Sequence, residues 1–597
     1  MTTTNNPSLG TVATFDIFET LIVRPLDRPD DLHYFVPFHI NSANITQRPE
    51  SRSWQKVRVR AERAARKSNP HREITLSDIY KIIQEISDNN IEIALDALME
   101  AEKLAEVCVA KPIEASWQRL MLARTENRVI AYASDMYLPM RTVRTVLKCS
   151  PQYRDDDDVF LSSELGCRKS DGSMFKHIAK TFGLPFGKMS HLGDNKMSDI
   201  SIPRQLGVNA EHCSAVRYLR FEKEQSEARV TTQPGLSYAA IGRAVRLSLP
   251  VSSPVSVRQV ASSVVAPLAS ALALFTLRTA ERQKCDKVLF LARDGFIVSE
   301  VAKEFIKHER MACDAHYFYT SRAALDEVIN SVDGSECVIR FKEYIVEELG
   351  LTSDSRILIQ DLGWKGSIQA RLLKCLLKVL GKFEDCQLFG TYLGLKEDPP
   401  AKSGQFFALC TDSQWINSSL VEALFSAGHA SFDSYKRQRS VRALRLDDHD
   451  LTLKFSHVHL QASVDYASTL TRLLKGLLPL HESIHSELCE IGLLGLEILQ
   501  RTPSLCEAVV YGGIQHASNS DHGNTTHLGG RIGMVQLAQQ LLKKGAVSST
   551  HWPQASILVT MSTFRMGIVG QAVNFARARL ANRRCSSPLS IGFAASQ

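Results

Sequence analysis

The sequence predicts an α/β protein with two sheet-containing units and a mainly helical C-terminal region. Three observations predict it. Short apolar runs ending on polar residues alternate with helical patterns in two separate stretches, as parallel sheets require. The chain has 597 residues, too many for one core at roughly 100 to 200 residues per domain. From about Leu451 the strand-like runs thin out, and helical runs such as YASTLTRLLKGLLPL and GMVQLAQQLLKKG dominate. The expected division is a first α/β unit at 1–215 with a helical insertion at about 26–118, a charged linker at 216–250, a second α/β unit at 251–445 and the helical region at 446–597.

In the first unit, TVATFDIFETLIV reads as a buried strand ending on a carboxylate. After Pro25 and Pro29 the pattern turns helical, with charged stretches KVRVRAERAARK and IEIALDALMEAEKLAE. The first of these reads as a solvated face. Strands follow in RVIAYASDMYLP, VFLSSELG and KMSHLGDNKMSDI, with helices between. EKEQSEARVTTQ is the charged segment that predicts a linker. The second unit alternates again through KVLFLARDGF, AHYFYTSRAAL, RILIQDLGWKGSIQARLLKCLL and QLFGTYLGL.

Composition narrows the function classes. With 44% hydrophobic, 23% charged and 7% aromatic residues the chain is neither disordered nor fibrous. A net charge of +7, from 71 basic and 64 acidic residues, is too mild a field to predict nucleic-acid binding. Thirteen singly scattered cysteines without a CxxC pair suit a reducing compartment. The opening MTTTNNPSLG lacks the basic patch and apolar core of a secretory signal, so the expected location is cytoplasmic. Val260 to Leu277 carries no charge, but its serines, Pro267 and alanines predict a helix buried against a sheet and no membrane span. The irregular spacing of His516, His522, His527 and His551 gives no zinc signature.

Chemistry gathers at the strand ends of the first unit, where parallel sheets place their ligands. Asp16 can attack as a nucleophile and form a covalent aspartyl intermediate. Ser134 can hold an oxygen of the transferred group, and Lys169 can restrain Asp16 while offsetting charge on that group. Thr20 and Asp135 are expected beside the substrate. Asp194, with Asp199 behind it, completes an oxygen shell suited to Mg2+.

The motifs FDIFETL, YASDMYLP, GCRKSDGSMF and HLGDNKMSDI, in this order, resemble those of the haloacid dehalogenase-like (HAD) superfamily over about residues 10 to 215. The resemblance implies a Rossmann-like domain with a helical cap that closes over the substrate, Mg2+ as cofactor, and hydrolysis of a small phosphorylated substrate through an aspartyl-phosphate on Asp16. It also implies that the Phe18 carbonyl joins Asp16, Asp194 and Asp199 around the metal. The sequence departs from the phosphatase pattern where a second Asp, the general acid and base, follows the nucleophile by two residues; here that residue is Phe18. Three readings stay open. One is an Mg2+-dependent phosphohydrolase whose acid is Glu19, a cap residue or the substrate itself. Another is a catalytically weak, phosphate-sensing domain coupled to the second unit. The third is a dehalogenase-like carbon displacement.

In the second unit, Arg293, Asp294 and Gly295 follow one apolar strand and Arg322 another, while Asp361 precedes Gly363, Lys365, Gly366 and Ser367 at the opening of a helix. Glycines and helix amides suit an anion, so Arg293, Asp294, Arg322, Asp361, Gly363, Lys365, Gly366 and Ser367 are expected to bind a phosphorylated ligand. The order of these residues resembles type I phosphoribosyltransferases. FDIFETL and SDMYLP in front, with FLARDG, DLGWKGS and EALFSAGHAS behind, also resemble large bacterial HAD hydrolases associated with surface-polysaccharide biosynthesis, which implies a sugar phosphate or glycan-linked phosphate. Glu422 and His429 are candidates for lining the second cleft, although a lone histidine in a small-residue turn is more often structural.

Overall fold

A computed structural model describes residues 10–40, 49–70, 72–86, 95–309, 314–429, 431–437, 451–475, 483–517, 525–533, 537 and 551–563. The chain forms two compact units, one of residues 1–252 with 469–480 and one of 253–468 with 481–597.

The first unit is built on a parallel sheet. Its strands are β1 (Val12–Phe15), β4 (Val129–Ser134), β5 (Asp158–Leu161), β6 (Met189–Gly193) and β7 (Asn209–His212), in the order β5-β4-β1-β6-β7. Alternation of buried strands with helices produces this arrangement because parallel neighbours need a crossover, and the crossovers cover both faces. Phe15 lies in register with Tyr132 on one side and Leu192 on the other, so the carboxyl ends of β1, β4 and β6 share one edge. Val12, Ala131, Phe160, Met174, Phe175 and Ile178 form a core on this sheet.

Beyond β1 the chain makes one tight turn, with Leu21 and Ile22 amides donating to the Ile17 carbonyl at 2.9 and 3.0 Å. It then leaves through β2 (Ile22–Val23) and returns through β3 (Lys111–Pro112), which pair antiparallel. The helical insertion lies between these stems, with its main helices at Ser51–Ser68, Leu76–Ile86 and Leu95–Val109. The helix Glu114–Thr125 packs on β1 and β4 instead, so the expected insertion boundary at 118 is too late.

The expected linker is structured. Arg220–Ala228 and Tyr238–Ser248 are helices that pack on each other, burying Phe221, Glu222 and Gln225. Arg246 pairs with Glu222, and Arg243 Nη2 donates to the carbonyls of Leu26 at 2.7 Å and Arg24 at 3.1 Å. Of the charges in that segment, Glu222 is buried in its ion pair with Arg246, while Lys223, Glu224, Glu227 and Arg229 are exposed.

The second unit holds another parallel sheet: β8 (Lys287–Leu291), β9 (Asp314–Phe318), β10 (Ile357–Trp364), β11 (Leu388–Leu395) and β12 (Gln405–Cys410), in the order β12-β11-β10-β8-β9. The uncharged segment lies in a helical run, Val255–Arg282. Among the described residues it is the one helix long and apolar enough to cross a membrane, and its apolar window is wholly buried in the protein. It packs on β11 and against the helix Ser483–Arg501, where Gly492 lets the two approach: a Cβ there would lie 2.6 Å from Leu268 Cγ. The C-terminal helices thus share the core of the second unit, and they are joined by a small antiparallel hairpin, Gln515–Ala517 with Thr525–His527. The described cysteines are all free.

Candidate active site

Three strand ends and one loop bring the first set of residues together. Asp16 is the residue after β1, and its amide donates to the Leu192 carbonyl of β6 at 2.8 Å, which extends the sheet ladder by one bond. Ser134 closes β4, and Asp194 follows β6. Asp199 comes back from the next helical turn, and a Cβ on Gly193 would sit 2.4 Å from its Cγ, so only glycine there admits this approach. Lys169 reaches in from the loop ahead of the helix Ser173–Phe182. Its Nζ lies 2.5 Å from Asp16 Oδ1 and 2.7 Å from Asp199 Oδ1, bridging the two buried carboxylates.

These groups share one cavity of about 300 Å³, which Phe18, Glu19, Arg24, Asp30, His33 and Glu62 also line. The residues from Asp30 onward come from the inserted segment, which roofs the strand ends. Burial pushes the Asp16 carboxyl up to about 7, with the Asp199 and Asp194 charges adding and Lys169 opposing. Asp194 is raised in the same way, by burial and by Asp199. Burial works against ionised Asp199, but a His191 hydrogen bond and Lys169 hold it below the ordinary carboxylate range. The site therefore carries more negative charge than Lys169 neutralises. A cation answers that excess, and one oxygen each of Asp16, Asp194 and Asp199 lie within 4.8 Å of one another. The donors are hard oxygens and few, which fits Mg2+.

Several expected contacts take another form. Thr20 is fully buried and donates its hydroxyl to Asp16 Oδ2 at 3.0 Å, so it orients Asp16 and does not face a substrate. Both oxygens of Asp135 accept from the Lys169 amide, at 2.9 and 3.1 Å, so this side chain fixes the lysine loop. Glu19 has a left-handed backbone at φ 57° and lines the cavity, and its carboxylate accepts from Arg24 Nε at 3.3 Å. Arg24 also lies 3.5 Å from Glu106 and stacks over the Phe18 ring at 4.9 Å. Neither Arg24 nor His191 stands out in the sequence. His191 bridges Thr14, at 2.8 Å, and Asp199, at 3.4 Å, and its place inside HLGD was the only signal.

The second unit gathers a different set. Arg293 and Asp294 follow β8, Arg322 opens the helix after β9, Asp361 lies near the end of β10, and Glu422 comes from the helix Ser418–Phe425. Burial pushes Asp361 up to about 8 and Asp294 to about 7, and each feels the charge of Glu422. Glu422 accepts from Trp364 Nε1 at 3.0 Å. His429 meets the Tyr317 hydroxyl at 2.6 Å, within a group of rings that includes Phe296 and Tyr319.

The glycine loop does not join them as an anion cradle. Gly363 has φ 130°, and a Cβ there would lie 2.0 Å from the Gly394 carbonyl oxygen; at Gly366, φ 64°, it would lie 2.5 Å from the Phe406 ring. Close packing of β10 on β11 and β12 accounts for both glycines. Lys365 is solvent-exposed and pairs with Glu397 at 2.7 Å. Ser367 starts the helix Ser367–Leu380, whose N-cap is Gly366 without a side-chain cap bond. Of the C-terminal histidines, His527 Nδ1 meets the Gly513 carbonyl at 2.9 Å, His551 Nδ1 meets Ser419 at 3.3 Å, and His522 lies outside the described residues.

No family model matches this chain, and no curated protein does. Solved structures that it is similar to include the 2-haloacid dehalogenase of Pseudomonas syringae pv. Tomato DC3000, at 14% identity and TM-score 0.26 over 34% of this chain and 86% of that one. A HAD-family enzyme of Bacteroides thetaiotaomicron, solved as a magnesium complex, gives 15% identity and TM-score 0.24 over 34% and 94%. A predicted phosphoglycolate phosphatase of Haemophilus somnus 129PT gives 12% identity and TM-score 0.23 over 34% and 84%. These likenesses carry no activity or substrate over to this chain.

Proposed function

We propose that the first unit is a HAD-type, Mg2+-dependent hydrolase acting on a small phosphorylated substrate through Asp16. The observation that carries this reading is the convergence of Asp16, Ser134, Lys169, Asp194 and Asp199 in one cavity at the carboxyl edge of a parallel sheet. An Asp16 carboxylate oxygen attacks phosphorus as the bond to the leaving oxygen breaks, and the leaving oxygen takes up a proton. Water then attacks the aspartyl-phosphate, releasing inorganic phosphate and restoring Asp16. Thr20 and Lys169 hold the attacking carboxylate in place, Ser134 holds a phosphoryl oxygen, and the Lys169 charge offsets the negative charge building there. Mg2+ on Asp16, Asp194, Asp199 and the Phe18 carbonyl would supply further positive charge to the same oxygens. The sugar phosphate class of substrate follows from the resemblance of the paired sequence motifs to hydrolases of surface-polysaccharide biosynthesis.

Phe18 cannot donate a proton, and Glu19 is the wall carboxylate nearest to it in sequence. The ion pair of Glu19 with Arg24 favours a second reading, a weak or purely phosphate-binding domain. A panel of sugar phosphates assayed with Mg2+ separates the two. Asp16→Asn should lower phosphate release on the order of 1,000-fold or more. Wild-type protein that binds a phosphate analogue without turnover would establish the binding reading instead.

A further inference from the structure

We propose that the second unit carries its own ligand site, independent of Asp16, for a polyhydroxylated ligand bearing one anionic group, as a phosphorylated sugar does. Four elements deliver its polar groups to the carboxyl edge of one parallel sheet: Arg293 and Asp294 after β8, Arg322 after β9, Asp361 on β10 and Glu422 on the neighbouring helix. The three carboxyls are partly buried while both arginines are exposed, so the acids lie deeper than the cations.

A second observation comes from Gln360. It is fully buried, and neither its Oε1 nor its Nε2 has a hydrogen-bond partner. Its carboxamide points into the turn that bears Arg293 and Asp294: a Cβ on Gly295 would lie 3.0 Å from Gln360 Oε1. An interior amide with both ends unmet is costly unless something enters to meet it. Burial also raises Asp294, Asp361 and Glu422 above the ordinary carboxylate range, even with the Leu362 amide donating to Asp361 at 2.9 Å and Trp364 Nε1 to Glu422 at 3.0 Å, so donors from a ligand would favour their ionised forms.

The geometry selects the ligand chemistry. Asp16, Asp194 and Asp199 bring three oxygens within 4.8 Å of one another, and Asp294, Asp361 and Glu422 do not. Spread carboxyls suit several hydroxyl donors on an extended ligand better than one cation. Tyr317 and His429, in contact beside Asp294, offer ring surface for the C–H face of a sugar. The exposed guanidinium groups of Arg293 and Arg322 suit the anionic end.

Calorimetric titration of the full chain in EDTA tests this, with glucose 1-phosphate, glucose 6-phosphate, glucose and inorganic phosphate as probes. At least one sugar phosphate should bind about tenfold or more tightly than glucose or phosphate, and Asp361→Asn should weaken it about tenfold or more. Arg322→Ala, at an exposed position that puts folding at little risk, should weaken it similarly, and Asp16→Asn should leave it unchanged. Three results would overturn the proposal: no binding by any probe, inorganic phosphate binding as tightly as the sugar phosphates, or binding that is lost in Asp16→Asn and indifferent to Asp361→Asn and Arg322→Ala. Phosphate release by the Asp361→Asn variant is read separately, so failure of this site and failure of the Asp16 reading are distinct results.

Discussion

Asp361 sits near the end of β10, where burial first and the Asp294 charge second push its carboxyl up to about 8. In the unfolded chain an aspartate titrates near its ordinary value of about 3.9, so between about pH 4 and pH 8 the folded state holds a proton that the unfolded state has lost. Stability from this residue is therefore greatest below about pH 4 and is lost as pH rises through about 8. Asp361→Asn should lose less stability than wild type between about pH 5 and pH 9 in urea unfolding, and equal losses would refute the assignment. The sequence shows at this scale which residues carry chemistry but not where each side chain turns. Asp16, Ser134 and Asp194 are legible because polar residues at the ends of buried strands have few reasons to be there, and Lys169 because it stands in GCRKSDGSMF ahead of a helix. Thr20 and Asp135 each spend side-chain bonds on a neighbour, Asp16 and the Lys169 loop respectively, although Asp135 still lines the cavity. Arg24 gives little signal, because its partner Glu106 is brought by the inserted helix Leu95–Val109.

The helix Ser51–Ser68 reads from its charges as a solvated face, yet Arg58 within it is fully buried. Its Nε and Nη2 donate to Glu102, at 2.9 and 2.7 Å, and the Tyr80 hydroxyl donates to the same carboxylate at 3.0 Å. No local pattern announces a pair whose partner lies 44 residues away on another helix. Glu102→Gln removes the buried carboxylate and leaves the guanidinium to its partly exposed partner Glu62, at 3.0 Å, so chemical denaturation should show a loss of up to about 3–5 kcal/mol. A loss within about 0.5 kcal/mol, the range of ordinary surface substitutions, would mean that the pair is not buried in solution. Gly363 in β10 was expected to serve an anion and instead lets two strands approach. Gly363→Ala should cost about 2 kcal/mol or more in the same measurement, from its positive φ and the clash with Gly394. Loss of sugar-phosphate binding with unchanged stability in that variant would restore the ligand role.

For the molecule as a whole, Mg2+ bound only by the folded state adds stability by mass action, about 2.7 kcal/mol at a hundred times its dissociation constant. Thermal unfolding should move upward with Mg2+, reverse with EDTA, and stay put in Asp194→Asn; an equal shift in that variant would place the ion elsewhere. The sequence by itself determined the two parallel sheets, their order along the chain, the helical insertion and the buried nature of Val260 to Leu277, because periodicity, strand-end polarity and helix composition are local properties. Tertiary structure decided the rest. It turned the supposed linker into two packed helices, folded the C-terminal helices into the core of the second unit, gave Lys365 to Glu397, and drew Asp294, Asp361 and Glu422 toward one another. Those outcomes depend on contacts between residues far apart in sequence, where burial and charge act only after the chain has closed on itself.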